Sequence, residues 1–288
     1  MCIVFLSCND NPGPDGYKLI IASNRDEYYE RPTEVAKFWE KNSNVIAGID
    51  LVPGKEDGTW LGITKCGKFG ALTNYRQSDE FISQDMKGRG FLVTDYLTGD
   101  QTCEEYLTEL SSNGHQYNGF NLILGKLSLE NESKFGYYCN TEGKVIKLLT
   151  PGIHVLSNRT LNFPWPKVVY GREKFEEIIS KNSANKRDLI DGLMGLLNER
   201  RRHFPNEDDS CYTGPQDELL SDAYKDACRA IFVKFDGQSY GTRTNTIILI
   251  DAKGHVTYTE RTLSNGATDP DDDADWVVNC HEFDIIER

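Results

Sequence analysis

The sequence predicts an α+β fold with sheet flanked by helices, on three observations. Short runs of branched and aromatic residues recur between Gly, Pro and Asn turns, and several intervening stretches repeat apolar residues at helical spacing. No Pro/Ser-rich linker or internal repeat divides the chain. The 288 residues therefore read as a single domain, residues 1–288, although such a length also permits two.

Residues 2–7 and 17–23 form an expected N-terminal hairpin, because apolar runs flank the turn formers Asn11-Pro12-Gly13-Pro14-Asp15-Gly16. Shorter strands are expected at 45–49, 59–64 and 68–74. Helices follow at 91–97 and 102–110, where Thr102 with Glu104 and Glu105 offers a cap and an acidic first turn. Strands resume at 119–127, 135–139, 145–149 and 153–157. The stretches 167–180 and 188–199 read as helices, the second placing Leu189, Leu193, Leu196 and Leu197 largely on one side. Late strands are expected at 230–235, 244–250 and 256–261, and acidic loops at 206–210 and 269–275. Repeated Asp makes a cation site the rival reading of the second loop, without an EF-hand ligand pattern.

Composition narrows the function classes. Lys and Arg total 32 against 45 Asp and Glu, a net charge of −13, and the pI is about 4.9. That balance argues against a general nucleic-acid binder while leaving room for a local basic groove. The 38% of hydrophobic residues supply a substantial core. Eight cysteines lie scattered without CxxC spacing and read as mostly reduced. The apolar opening Met1 to Leu6 is too short for a signal-peptide core, and no later run is long enough to span a bilayer. A soluble, cytoplasmic protein is expected, with peripheral membrane contact as an option.

Cys2 stands out among residues that carry chemistry. Met1 precedes a small residue and is removable, which would put a thiol and an α-amine on one residue. Their reference pKa values, about 8.5 and about 7.7–8.0, allow proton transfer near neutrality. The alternative is a buried thiol at the start of an edge strand. Asn24-Arg25-Asp26-Glu27 follows a predicted strand directly. Arg25 can orient a carboxylate, and Asp26 can receive a positive charge or fix Arg25 by a bidentate pair, functionally or as a structural clamp. Asn74 and Asn158, each after a predicted strand, can donate to an oxyanion or simply cap turns. Arg76 and Arg159 favour an anionic ligand or solubility. Arg243, within Tyr240-Gly241-Thr242-Arg243-Thr244-Asn245-Thr246, can reach a carboxylate or make a strand-to-strand salt link. The five histidines form no HxH or HExxH array. Lys87-Gly88-Arg89-Gly90 lacks Walker spacing and reads as a turn before a helix.

Taken together and in order, Met1-Cys2-Ile3-Val4-Phe5, Asn24-Arg25-Asp26-Glu27, Gly58-Thr59-Trp60-Leu61-Gly62, Leu72-Thr73-Asn74-Tyr75, Tyr117-Asn118-Gly119-Phe120-Asn121, Leu156-Ser157-Asn158 and the segment around Arg243 resemble the transport and Golgi organisation protein 2 family, also called the NRDE family. The resemblance spans almost the whole chain. It implies an N-terminal-nucleophile-hydrolase-like fold of four αββα layers with two antiparallel sheets. By analogy with cysteine amidases of the bile-salt and penicillin V acylase branch, it implies Cys2 as nucleophile, Arg25 as the first arginine, Asn74 and Asn158 as oxyanion and positioning residues, and Arg243 as the late arginine. Asp26 takes the place of an early aspartate that the branch usually spaces further from the arginine. The family's association with haem mobilisation, Golgi organisation and lipid homeostasis makes a haem chaperone or trafficking protein the first functional expectation. Haem is then the transported ligand and haem acceptor proteins the partners, in cytoplasm with mitochondrial or Golgi-associated sites, with no catalytic cofactor or metal expected. The alternatives are an N-terminal-cysteine amidohydrolase or thioesterase acting on an acylated, lipid-like substrate, and a non-catalytic Golgi or secretory trafficking adaptor.

Overall fold

A computed structural model describes residues 2–204 and 220–286. The acidic loop expected at 206–210, and Cys211, lie outside the described residues. Elements are numbered in chain order. The first sheet contains β1 (Ile3–Cys8), β2 (Tyr17–Tyr28), β10 (Gly152–Leu156), β11 (Lys234–Phe235), β12 (Tyr240–Asp251), β13 (His255–Leu263) and β14 (Trp276–Asp284). Its order is β10-β1-β2-β12-β13-β14, with β11 also paired to β12. The second sheet runs in chain order through β3 (Thr33–Phe38), β4 (Val45–Asp50), β5 (Leu61–Thr64), β6 (Lys68–Asn74), β7 (Phe120–Lys126), β8 (Lys134–Cys139) and β9 (Ile146–Leu148). Every described pairing is antiparallel.

Side-chain alternation builds the layers. In β1, Ile3 and Phe5 face α3 (Pro166–Asn182) and α4 (Lys186–Leu197), packing with Phe175, Leu189 and Leu193. Val4, Leu6 and Cys8 face the opposite way, into a cluster shared with Ile46, Ile63 and Phe69 of the second sheet. Leu122 and Leu124 of β7 pack under α1 (Phe91–Thr98) and α2 (Cys103–Asn113), while Ile123 joins the inter-sheet cluster. The result is the expected αββα layer order. Covering both faces of a sheet explains why its strands read as continuous apolar runs rather than as alternating ones. The helix layer lies close: a Cβ on Gly171 of α3 would come within 2.6 Å of the Phe5 ring.

Local signals set the helix ends. Thr102 and Glu105 form a reciprocal capping box at α2, Pro166 occupies the first turn of α3, and the Asn185 side chain accepts from the Arg187 and Asp188 amides at the start of α4. No helix among the described residues is long and apolar enough to cross a membrane.

Three expectations change. The strand expected to end at Ser23 runs on to Tyr28, because β12 supplies a partner for each polar residue of Asn24 to Glu27. Of the strand expected at 230–235, only Lys234–Phe235 pairs; Ile231, Phe232 and Val233 are buried as an apolar loop. In addition, β3, β14 and a short α5 (Asp222–Ala227) are present where no element is expected. The 269–275 segment is a turn region, and Asp269, Asp271 and Asp273 form ion pairs with Lys234, Arg200 or Arg261.

One buried carboxylate strains this architecture. Where the β3–β4 register slips between Glu34 and Lys37, the Ala36 amide donates instead to Glu260 Oε1 of β13 at 2.8 Å. Burial lifts Glu260 from its ordinary 4.5 to about 7. The folded state therefore binds more protons than the unfolded state between those values, so this group's stabilising contribution is full below 4.5 and is lost as pH rises through 7. Glu260→Gln is expected to leave stability unchanged at pH 4 and to raise it at pH 8 by up to about 3 kcal/mol. Urea melts at the two pH values check this; equal effects at both would contradict it.

Candidate active site

Strand register brings one end of both sheets together at Cys2. Ile3 pairs with Asn24 and Val4 with Leu156, so the segment leaving β10 runs past the residue that precedes β1. Ser157 Oγ donates to the Cys2 carbonyl at 2.8 Å. From the second sheet, Thr73 Oγ1 donates to the Ser157 carbonyl at 2.6 Å. Asn158 Nδ2 donates to the Asn74 carbonyl at 2.6 Å, and the Arg76 amide donates to the Asn158 carbonyl at 2.7 Å. These bonds tie the two sheets together beside the thiol. Asn158 spends one amide hydrogen on this tie and keeps a second.

Alternation along β2 separates Arg25 from Asp26. Arg25 points to the second sheet, donating to Thr33 Oγ1 at 3.0 Å with its guanidinium 4.1 Å from the Trp60 ring centroid. Asp26 faces the other way, and its Oδ1 accepts from Thr242 Oγ1 at 2.6 Å. The bidentate Arg25–Asp26 pair considered from sequence is therefore not formed. The Cys2 thiol lies 3.9 Å from the Asp26 carbonyl, to which Tyr240 Oη also donates. Burial pushes the Cys2 thiol above its ordinary 9.0 and the Asp26 carboxyl above its ordinary 3.8. Asn24 has a packing role: its Nδ2 donates to the Leu197 and Ile231 carbonyls, and its Oδ1 accepts from Asn245.

Lys167 is the residue that sequence reasoning misses. It sits in the first turn of α3, only 2% exposed, and donates to the Ala230 carbonyl at 3.2 Å. Burial pushes its amine down, and the Asp26 charge opposes that shift. A charged residue directly after Pro166, inside Phe163-Pro164-Trp165-Pro166-Lys167-Val168-Val169, is the only hint the sequence carries.

Arg243 sits among backbone carbonyls. It is fully buried at the β2–β12 register shift. Its guanidinium donates to the carbonyls of Tyr28, Tyr29, Arg31 and Leu263 and to Asn265 Oδ1. Burial depresses it to about 10. The geometry is that of a clamp on the chain leaving β2.

A cleft of about 410 Å³ opens at this end of the sandwich, lined by Asn74, Arg76, Arg89, Asn158 and the rings of Tyr28, Tyr224 and Tyr240, among others. Arg159 donates to Oη of Tyr75, which also lines the cleft, at 2.8 Å. None of the histidines lines the cleft. His203 stacks on Tyr170, and His154 and His281 face backbone carbonyls at 2.9 and 3.0 Å. Among the described residues no cluster of three His, Cys, Asp or Glu is placed to hold a metal ion. Chemically, the site offers a thiol, two buried ionisable neighbours in Asp26 and Lys167, and Asn amides beside a cleft.

The family model described as Transport and Golgi organisation 2 matches residues 1–265. The chain is 40% identical over 287 residues to the human Transport and Golgi organization protein 2 homolog, and 39% identical over 292 residues to the mouse homolog, covering 99% of both chains in each case. Among solved structures it aligns with a mutant conjugated bile acid hydrolase from Clostridium perfringens at a TM-score of 0.45 and 9% identity, over 99% of this chain and 92% of that one. The protein belongs to the Transport and Golgi organisation 2 family.

Proposed function

We propose that the protein is an N-terminal-cysteine acyl hydrolase, acting on an amide or thioester of an acylated, lipid-like compound. The observation that carries this reading is that Asn158, which lines the cleft with Asn74 and bonds to its carbonyl, follows directly on Ser157, whose hydroxyl donates to the Cys2 carbonyl. In the proposed reaction, Met1 is absent and the Cys2 α-amine takes the thiol proton. Sγ attacks the acyl carbonyl carbon, the C–N or C–S bond to the leaving group breaks, and the leaving amine or thiol departs with that proton. Water then cleaves the Cys2 thioester, releasing a carboxylic acid and restoring the thiol. The remaining Asn158 amide hydrogen is suited to the oxyanion.

A thiol with a raised pKa is mostly protonated at neutral pH, and the α-amine must be neutral to act as base. Both requirements favour higher pH. Thioester hydrolysis by protein whose first residue is Cys2 is expected to rise by up to about tenfold per pH unit between pH 6 and 8. Absence of turnover across that range would count against the proposal.

Haem carriage is a second proposal, supported by the aromatic and arginine lining of the same cleft, which suits a flat anionic ligand. It differs in its dependence on Cys2: reversible haem transfer to an acceptor would survive Cys2→Ala. The family's name supports an action near secretory membranes from the cytoplasm, and that location is part of the proposal.

A further inference from the structure

The buried amine of Lys167 has no part in the acyl-transfer steps above. Lys167 is 2% exposed and forms no ion pair among the described residues; its Nζ hydrogen-bonds there only to the Ala230 carbonyl, at 3.2 Å. A buried ammonium ion held by a neutral carbonyl alone is unfavourable, so a counter-charge in the same water-poor region is needed to keep it charged. The chain that Lys167 holds leads to one. Ala230 to Val233 is buried, and the first sheet meets this stretch with Asn24 and Thr242. Asn24 Nδ2 donates to the Ile231 carbonyl at 3.1 Å, and the Val233 amide donates to Thr242 Oγ1 at 2.9 Å. The same Thr242 hydroxyl donates to Asp26 Oδ1 at 2.6 Å. Asn24 also bonds to the Leu197 carbonyl of α4, and Asp26, two residues on along β2, shares that helix-facing side. One buried stretch therefore ties Lys167 to the Asp26 carboxyl, itself 5% exposed. Burial depresses the Lys167 amine and raises the Asp26 carboxyl, and the charge of each opposes the shift of the other. The other groups acting on the pair are the N-terminal amine on Asp26, and Cys228, Arg76 and Cys2 on Lys167, whose charge in turn acts on His203.

We propose that Lys167 is a positioning residue of the acyl-transfer site, the buried counter-ion that keeps Asp26 ionised beside Cys2. This rests on the acyl-hydrolase reading for its purpose, but the coupling of the two charges is measurable without any substrate. An ionised Asp26 balanced by an ammonium gives Cys2 a fixed polar neighbour without an uncompensated negative field, which would oppose thiolate formation. The role is electrostatic and acts through Asp26; the bond to Ala230 alone would leave Asp26 indifferent to the charge at position 167.

The test is a carbon-13 NMR titration of the aspartate carboxyls in full-length protein whose first residue is Cys2, with the Asp26 signal assigned by its loss in Asp26→Asn. In Lys167→Met the Asp26 midpoint is expected to rise by about one pH unit or more, and in Lys167→Arg, which keeps the charge, to stay near the native value. An unchanged Asp26 midpoint in folded Lys167→Met would overturn the proposal. If Lys167→Met does not fold, the reciprocal measurement decides: coupling is mutual, so the Lys167 Cε midpoint should fall by a comparable amount in Asp26→Asn, and its constancy would overturn the proposal equally. In thioester turnover, Lys167→Met should lower kcat more at pH 6 than at pH 8, where Asp26 is ionised with or without the ammonium, and Lys167→Arg should restore much of the loss. An equal loss at both pH values would reduce Lys167 to a structural residue. Absence of turnover by the native Cys2 protein would instead overturn the hydrolase reading while the measured coupling stood, so the two failures are distinguishable.

Discussion

Replacing Cys2 by Ala is expected to lower thioester or amide turnover by about 10⁴-fold or more, to the level of an enzyme without its nucleophile. Covalent labelling by an acyl electrophile should vanish with it. Stability should barely move, because Cys2 precedes the first strand, is only half-buried, and offers the fold one weak S–H contact, 3.9 Å from the Asp26 carbonyl. The bond from Ser157 reaches the Cys2 backbone carbonyl and survives the substitution. A change of less than about 0.5 kcal/mol in a urea melt is expected, as for substitutions away from packed or hydrogen-bonded features. Turnover and melting together separate chemistry from folding.

Arg243→Met is expected to do the reverse. The substitution strips hydrogen-bond donors from the carbonyls of Tyr28, Tyr29, Arg31 and Leu263 around a fully buried side chain. Each buried acceptor left without a donor costs about 1–3 kcal/mol. Methionine recovers some apolar packing, so a net loss of about 3–5 kcal/mol is reasonable against a typical total of about 5–15. The thermal midpoint should fall by roughly 10 °C, at about 2–4 °C per kcal/mol for a chain of this size class. Below the transition, the surviving folded fraction should retain its kcat. A large fall in kcat with an unchanged melting temperature would instead restore Arg243 to the reaction.

The contrast between these residues shows what the sequence made legible. The strands of β1, β2, β6, β7 and β12 are readable because both faces are covered, leaving long apolar runs. β14 is not, because it is the outermost strand of its sheet and most of its residues are not buried, with Val277 and Val278 left 41% and 62% exposed. Residues 231–233 show the opposite error. They are apolar because the core needs their side chains, not because they pair in a ladder.

The site was legible in part. Cys2, Asn74 and Asn158 stand out from residue type and from resemblance, but only register places them together, through Val4 opposite Leu156 and the bonds between Thr73-Asn74 and Ser157-Asn158. Arg25 and Asp26 are adjacent in sequence yet face different layers, a consequence of β2 continuing where a strand end is expected. Lys167 feels the Asp26 charge because α3 packs across the first sheet. Partners separated by more than a hundred residues leave no local pattern from which a contact can be read.

The central claim is that Cys2 carries an acyl group during turnover. Its most direct test is intact-protein mass spectrometry of rapidly quenched mixtures of an octanoyl thioester with protein whose first residue is Cys2, and with the Cys2→Ala protein. The account predicts one octanoyl group per chain, mapped to the Cys2 peptide, appearing before free octanoate and lost on further incubation, with no adduct in Cys2→Ala. An unmodified Cys2 protein that releases octanoate no faster than Cys2→Ala would contradict it.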